Sequence, residues 1–246
     1  MVSNEDELTR NQEQTNTPDK ANEPHMAAPA ELKGKIGQHR TFWRETAEKE
    51  KKAIFADSLG TWYANAGIFD SSAWFFEDAA SFFNTVESWR KAGDNYYQAY
   101  TFALDANKQQ ALASKAQEFY NKVLSVKAND LEVKNNLAMT YLSSNNPMQG
   151  ILMLREVLTV DAKNETALFN LGMLSVQSGQ YENAIERLNT LVGINPQHIQ
   201  AQLLLGVAYM QTGNNAKAKS QFEKVKDMDK DPAVQATVDS YLKDLK

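Results

Sequence analysis

The apolar residues of this chain recur at helical spacing from Thr41 onward. They return three and four positions apart, Pro and Gly fall mostly between such stretches, and no segment alternates as a half-buried strand would. This pattern predicts an all-α fold. Residues 1–40 carry few large apolar side chains, too few to offset the entropy of ordering, and we expect a disordered N-terminal tail there.

Small residues reveal an internal repeat within the helical part. They stand at Gly60, Gly93, Ala138, Gly172 and Gly206, and the last three are 34 residues apart. A second small residue follows twelve positions later in four of the five copies, at Ser72, Gly150, Ala184 and Ala218. In the second copy the equivalent Ala116 follows 23 positions later, an insertion of 11. Such pairs let two antiparallel helices approach closely, which compensates for the helix propensity that a glycine such as Gly172 forfeits.

Larger apolar residues recur in the same register. Three positions after the first small residue come Tyr63, Tyr96, Tyr141, Ser175 and Tyr209. The second helix of each copy carries Phe76, Tyr120, Leu154, Leu188 and Phe222. Ser175 is the one departure from an aromatic residue in its set, and we expect it to loosen its repeat.

The repeat resembles the tetratricopeptide repeat, a helix–turn–helix unit of 34 residues. In the second repeat, "WRKAGDNY", from Trp89 to Tyr96, keeps the Trp, Gly and Tyr of that motif. The fourth repeat carries "LGMLSVQSGQYENAIERL" from Leu171 and ends on Pro196. The resemblance implies a right-handed α-solenoid over 41–246 after the tail. We expect repeats at 53–85, 86–130, 131–164, 165–198 and 199–231, and an amphipathic capping helix at 232–246.

Composition narrows the function further. The net charge of −5 argues against a nucleic-acid-binding surface, and the absence of cysteine removes disulfides and thiol chemistry. No apolar run is long enough to span a bilayer. We expect a cytoplasmic protein, tethered to a membrane only if residues 1–40 stand in place of a natural anchor. Its outline is similar to bacterial repeat scaffolds.

Catalytic and metal-binding patterns are not found. His25, His39 and His198 have no partners at metal-ligand spacing, and no phosphate-binding loop or nucleophile motif occurs. We therefore expect a protein that is not an enzyme and needs no cofactor or metal. The competing hypothesis is an accessory subunit of an enzyme complex.

Proteins of the resembled family usually grip a peptide or helix in a groove lined by their first helices. Transferred to this chain, the groove positions are Asn135, Met139, Leu142, Phe169, Met173, Val176, Leu203, Val207 and Met210. A Met-rich apolar lining suits a helical or extended segment of another protein, because Met adapts to varied shapes. The alternative is that these residues only pack between repeats.

A second function known in the family is the co-chaperone adaptor, which binds an acidic C-terminal peptide through a clamp of Lys, Asn and Arg. The clamp positions of the first two repeats hold Asp57, Thr61, Arg90 and Asp94. Only Asn136 and Asn170 suit a clamp, so this hypothesis ranks below the apolar groove.

All four tryptophans precede the third repeat, and Trp74 and Phe75 lie next to inner positions of their helix. We expect part of these rings to face outward as a second interface, for self-association or docking. The alternative is that Phe42 and Trp43 fold back over them. The insertion in the second repeat is expected to lengthen its helices by about three turns.

Overall fold

The computed structural model describes residue 30, residues 32–142, residue 144 and residues 146–245. These residues form twelve helices and no strand, and the prediction of an all-α helical-repeat solenoid is confirmed. In chain order the helices are α1 Lys33–Glu45, α2 Lys49–Asn65, α3 Phe69–Phe83, α4 Val86–Phe102, α5 Ala106–Val126, α6 Leu131–Leu142, α7 Pro147–Val160, α8 Glu165–Gln177, α9 Tyr181–Ile194, α10 Ile199–Gln211, α11 Asn215–Met228 and α12 Pro232–Asp244.

The chain divides into two compact units, whose boundary falls within α5 between Phe119 and Tyr120. We call them the N-terminal unit and the C-terminal unit. The N-terminal unit holds α1–α4 and the first part of α5, and the C-terminal unit holds the remainder of α5 and α6–α12.

The tail prediction is wrong for residues 33–40, which belong to α1. This helix has few large apolar residues, but Ile36 and Trp43 lie about two turns apart on one face. Both are buried in a cluster that includes Leu59, Tyr63 and Phe75. Two anchors on one face are enough to order the segment once a neighbouring surface is present. The remainder of the predicted tail, residues 1–29, lies outside the described residues.

The glycine at the centre of α8 permits a close approach within its helix pair. A Cβ atom added at Gly172 would lie 2.7 Å from Cδ2 of Leu188 in α9. The same relation joins Gly206 in α10 to the ring of Phe222 in α11, at 2.6 Å. Each glycine therefore packs against the large apolar residue of the second helix, sixteen positions on, rather than against the small residue at position twelve.

Glycine also ends two of these helices. Gly179 follows α8 with a φ of 73°, and Gly213 follows α10 with a φ of 74°. In this left-handed conformation the amide of Gln180 donates to the carbonyl of Ser175 at 2.8 Å, and that of Asn214 donates to Tyr209 at 2.8 Å. These bonds satisfy carbonyls at the helix end and turn the chain into the second helix of the pair.

The eleven extra residues of the second repeat lengthen both of its helices. The two helices α4 and α5 have 17 and 21 residues, whereas α8 and α9 have 13 and 14. At the C-terminal end α12 packs on the last pair, where Val238 is fully buried and the Tyr241 ring stacks on Phe222 at 5.0 Å.

Candidate binding groove

The predicted groove residues lie on α6, α8 and α10 of the C-terminal unit. Each of these is the first helix of its pair, and the same three positions recur in each one because the repeat length is constant. Polar caps fix where two of the helices begin. Asn164 caps α8 by accepting from the amide of Ala167 at 3.0 Å, and His198 caps α10 by accepting from Ala201 at 3.2 Å.

Eight of the nine groove residues are apolar and only half-buried. They share an intermediate exposure that neither core residues nor fully solvated ones have, and they are Met139, Leu142, Phe169, Met173, Val176, Leu203, Val207 and Met210. On α8 the residues Phe169, Met173 and Val176 follow the spacing of one helix face. The C-terminal unit thus carries a partly accessible apolar stripe, repeated from helix to helix, which we call the apolar stripe.

Part of this stripe also packs against the core. Five stripe residues contact the core cluster that includes Leu188, Leu205 and Phe222, and they are Phe169, Val176, Leu203, Val207 and Met210. The Phe169 ring stacks on the His198 imidazole, with ring centres 4.9 Å apart. Substituting Phe169 would therefore disturb the repeat itself, whereas Met173 is half-buried without belonging to a described core cluster.

Asn135 does not belong to the accessible surface. It is only 3% exposed, and its amide Nδ2 donates to Oδ1 of Asn164 at 3.0 Å. Its side chain thus connects α6 to the cap of α8. The sequence prediction that Asn135 lines the groove is corrected, because the next repeat covers its amide.

The two asparagines that suit a carboxylate clamp differ in their surroundings. Asn136 donates to the hydroxyl of Tyr120 at 3.3 Å. Asn170 is 7% exposed and has no side-chain hydrogen bond to any described residue. One engaged amide and one unengaged amide do not form a charged clamp, since neither carries positive charge.

His198 has a role that the sequence analysis missed. It is both the cap of α10 and the stacking partner of Phe169. Its position directly before a helical run and after Pro196 is a capping signal that could have revealed this role.

The second predicted interface is corrected in part. Phe75 is fully buried, and its ring contacts Trp43 at 5.6 Å and Trp74 at 4.9 Å. Trp43 also contacts Trp74, with ring centres 5.3 Å apart. Trp43 of α1 thus folds back over these rings, as the alternative hypothesis stated. Trp74 remains half-buried, while Phe42 is 39% exposed and packs against Phe55 instead.

The described residues contain no cluster of His, Cys, Asp and Glu that could hold a metal ion. None of the described helices is long and apolar enough to cross a bilayer.

Two family models match overlapping parts of the C-terminal unit, and both describe the tetratricopeptide repeat. One covers residues 135–199 and the other covers residues 175–239. Residues 135–239 of this chain therefore carry tetratricopeptide repeats. Members of this family bind other proteins or peptides and are typically non-catalytic, so the fold is that of a protein–protein interaction scaffold.

Solved structures share the fold over most of the tetratricopeptide repeat chain. A crystal structure of MamA is 21% identical with a TM-score of 0.56 and covers 69% of this chain and 94% of its own. YrrB, described as a TPR protein with an unusual peptide-binding site, is 16% identical with a TM-score of 0.54, covering 83% and 99%. A tetratricopeptide repeat protein from Parabacteroides merdae ATCC 43184 is 18% identical with a TM-score of 0.62, covering 85% and 80%. Among curated protein sequences none matches significantly.

Proposed function

We propose that this tetratricopeptide repeat protein is a non-catalytic scaffold whose apolar stripe holds a helical or extended segment of another protein. The observation that carries the proposal is the intermediate burial of the eight apolar stripe residues. A side chain that served the core alone would be buried like Leu171 or Leu205, which are 3% and 0% exposed. The stripe residues instead keep apolar surface that a bound segment would remove from water.

The chemistry of the stripe favours an apolar segment over a charged one. Met139 and Met173 occupy the same repeat position, and Met210 lies near the end of the stripe. Their unbranched, polarizable side chains repack around varied shapes, as suits helix-in-groove recognition. YrrB is described as a TPR protein with an unusual peptide-binding site, and we extend the capacity to bind a peptide to this chain.

The amide of Asn170 adds a polar element beside the stripe. Because it has no hydrogen bond to a described residue, it can donate to and accept from the backbone of a bound segment without breaking an existing contact. An apolar stripe with one such amide would bind the side chains of the partner through shape and fix its backbone through a hydrogen bond.

The test compares two double variants in affinity capture from the native host, with mass spectrometry of what is retained. Met139→Gln with Met173→Gln removes apolar surface from the stripe and leaves Phe169 in place. Met148→Gln with Leu152→Gln makes the same change of chemistry on α7, where both residues are more than half exposed, at 56% and 57%.

We expect a partner that the wild type and the α7 control retain and that the stripe variant loses at least about tenfold. Unfolding temperatures of both variants should stay close to that of the wild type. Equal retention by the stripe variant and the control, with both folded, would contradict the proposal. A synthetic peptide with an acidic C-terminus tests the alternative of a co-chaperone adaptor, and we expect that this peptide does not bind.

A further inference from the structure

A cleft of about 280 Å³ opens on another face of α8, between α7 and α9. Its lining includes Arg155, Leu174, Ser175, Ser178 and Arg187. At about 100° per residue, Ser175 lies about 160° from Met173 and about 120° from Phe169 around the helix, so it faces a different side of α8 from the apolar stripe. The cleft is therefore a separate feature from the proposed groove.

The cleft exists because Ser175 stands where the other repeats have tyrosine. In the first repeat the Tyr63 ring stacks on Phe75 at 5.7 Å with an angle of 5° between planes. In the second repeat Tyr96 stacks on Phe119 at 6.0 Å and 11°. The residue equivalent to Phe75 in the fourth repeat is Arg187, twelve positions after Ser175.

The stacked ring pair of the first two repeats is thus replaced in the fourth repeat by a serine and an arginine. Nη1 of Arg187 donates to Oγ of Ser175 at 2.6 Å, and that hydroxyl donates to the carbonyl of Leu171 at 2.7 Å. The other guanidinium N–H groups of Arg187 have no hydrogen bond to any described residue. Two small or extended side chains do not fill the volume of two rings, and the unfilled volume is the cleft.

Arg155 stands at a position where the fifth repeat forms a hydrogen bond between its tyrosine and the preceding helix. In the fifth repeat the hydroxyl of Tyr209 accepts from Nδ2 of Asn189 in the preceding helix at 2.8 Å. The residue 34 positions before Asn189 is Arg155. Because Ser175 is too short to reach it, the Arg155 guanidinium forms no hydrogen bond or ion pair with a described residue.

Two arginines therefore line one cleft without a carboxylate bound to either of them within the described residues. Burial and, after it, the positive charge of Arg155 lower the pKa of Arg187 below its ordinary value. The two cations thus interact unfavourably across the cleft, and a bound anion would relieve this repulsion. Guanidinium groups bind oxyanions through paired hydrogen bonds, and those of both Arg155 and Arg187 line the cleft.

We propose that this cleft binds a phosphoryl group. Two guanidinium charges match a phosphoryl dianion, whereas a single carboxylate would leave one of them uncompensated. The phosphoryl group can belong to a free phosphorylated small molecule or to a phosphorylated side chain of a partner. Both sources present the same three oxygens to Arg155 and Arg187.

The direct test is an NMR titration of the full-length, isotope-labelled protein with inorganic phosphate at constant ionic strength. We expect saturable shifts centred on the amides of Ser175 and Ser178 and on the Nε–H of Arg187. Ser175→Tyr restores the residue of the other repeats without changing charge, and it should weaken phosphate binding at least about tenfold. Arg155→Gln with Arg187→Gln should do the same and leaves the serine in place.

The matched control is Lys163→Gln with Lys224→Gln, which removes the same charge from exposed positions of the C-terminal unit. Its affinity for phosphate should stay within about twofold of the wild type. Linear, unsaturable shifts would overturn the proposal, and so would a folded Ser175→Tyr variant that binds as tightly as the wild type. Acetate binding as tightly as phosphate would overturn the match to a dianion.

A phosphoserine peptide and free phosphate distinguish the two sources. Tighter binding of the peptide by about tenfold or more supports a phosphorylated partner, and equal binding supports a free small molecule. Loss of phosphate binding would leave the groove proposal intact, because the groove experiment substitutes Met139 on α6 and Met173 on α8, neither of which lines the cleft.

Discussion

The two units fill the space between their paired helices with different side chains. The N-terminal unit surrounds Phe75 with Trp43, Tyr63 and Trp74, so its core is a set of rings. The C-terminal unit relies more on aliphatic residues such as Leu188 and Leu205, and its buried rings at Tyr120, Tyr209 and Phe222 lie apart along the chain. In both units, however, a glycine of the first helix faces a large residue of the second. At Gly60 an added Cβ atom would lie 2.9 Å from the Phe76 ring.

The difference shows which part of the repeat is fixed by geometry. The close approach at the glycine sets the distance between paired helices, and the remaining volume can be filled by rings or by aliphatic chains. Where neither is supplied, as at Ser175 and Arg187, a cleft remains. The family models match residues 135–239, where the 34-residue spacing of the small residues is constant.

The largest loss of stability is expected from a substitution in the ring core of the N-terminal unit. Phe75→Ala removes a fully buried ring with three aromatic neighbours and should lower the free energy of unfolding by about 3–5 kcal/mol. All four tryptophans lie between residues 43 and 89, so tryptophan fluorescence during urea unfolding reports on this unit. Phe102→Ala is the control, because Phe102 is 70% exposed and should cost less than about 1 kcal/mol. Equal costs for the two would disprove the ring core.

A second prediction tests the close approach in the C-terminal unit. Gly150 of α7 faces the backbone of α6, and an added Cβ atom would lie 2.4 Å from the carbonyl oxygen of Ala138. A backbone oxygen cannot turn aside as a side chain can, so Gly150→Ala should destabilise by about 2–3 kcal/mol. Thermal unfolding followed by circular dichroism measures it, and an unchanged midpoint would show that the helices are not held at this distance.

A smaller effect is expected where a polar group supports the ring core. Nε1 of Trp43 donates to Oδ2 of Asp78 at 2.6 Å, and the ammonium of Lys52 lies 4.7 Å from the Trp43 ring centre. Trp43→Phe keeps most of the ring but loses the donor, and it should cost about 1.5 kcal/mol in urea unfolding. Asp78→Asn in the same background should then add little, since its partner is already gone. A full further loss would mean that Asp78 acts through another contact.

The smallest expected effect has the opposite sign. Gly193 lies exposed in α9 with nothing within 4 Å of an added Cβ atom. Gly193→Ala should raise the free energy of unfolding by about 0.5 kcal/mol, because alanine loses less entropy in a helix. It is also the internal control for Gly150→Ala, since the two substitutions are chemically identical. Destabilisation at both glycines would attribute the effect to something other than the close approach.

The fold can be predicted from the sequence because small residues recur at a constant spacing. The spacing of Ala138, Gly172 and Gly206 is a local pattern, and it sets where paired helices meet. The first part of α1, residues 33–40, is missed because its order depends on contacts of Ile36 and Trp43 with other helices, which no local pattern records.

The site is predicted less completely for the same reason. Most stripe residues follow from repeat positions, but the burial of Asn135 depends on Asn164 of the next repeat. The burial of Phe75 depends on Trp43 of the preceding helix. In the sequence, Ser175 in place of a tyrosine is the one sign of the cleft. That Arg155 and Arg187 line it with Ser175 is visible only in the structure.

The most direct measurement of the apolar stripe uses the absence of cysteine in the chain. Met173→Cys and Met148→Cys each create one labelling site, on the stripe and on α7 respectively, for a dye sensitive to solvent polarity. When a segment of the captured partner is added, we predict a blue shift of the dye at position 173 and no change at position 148. A shift at position 148 with none at position 173 would contradict the apolar stripe as the binding surface.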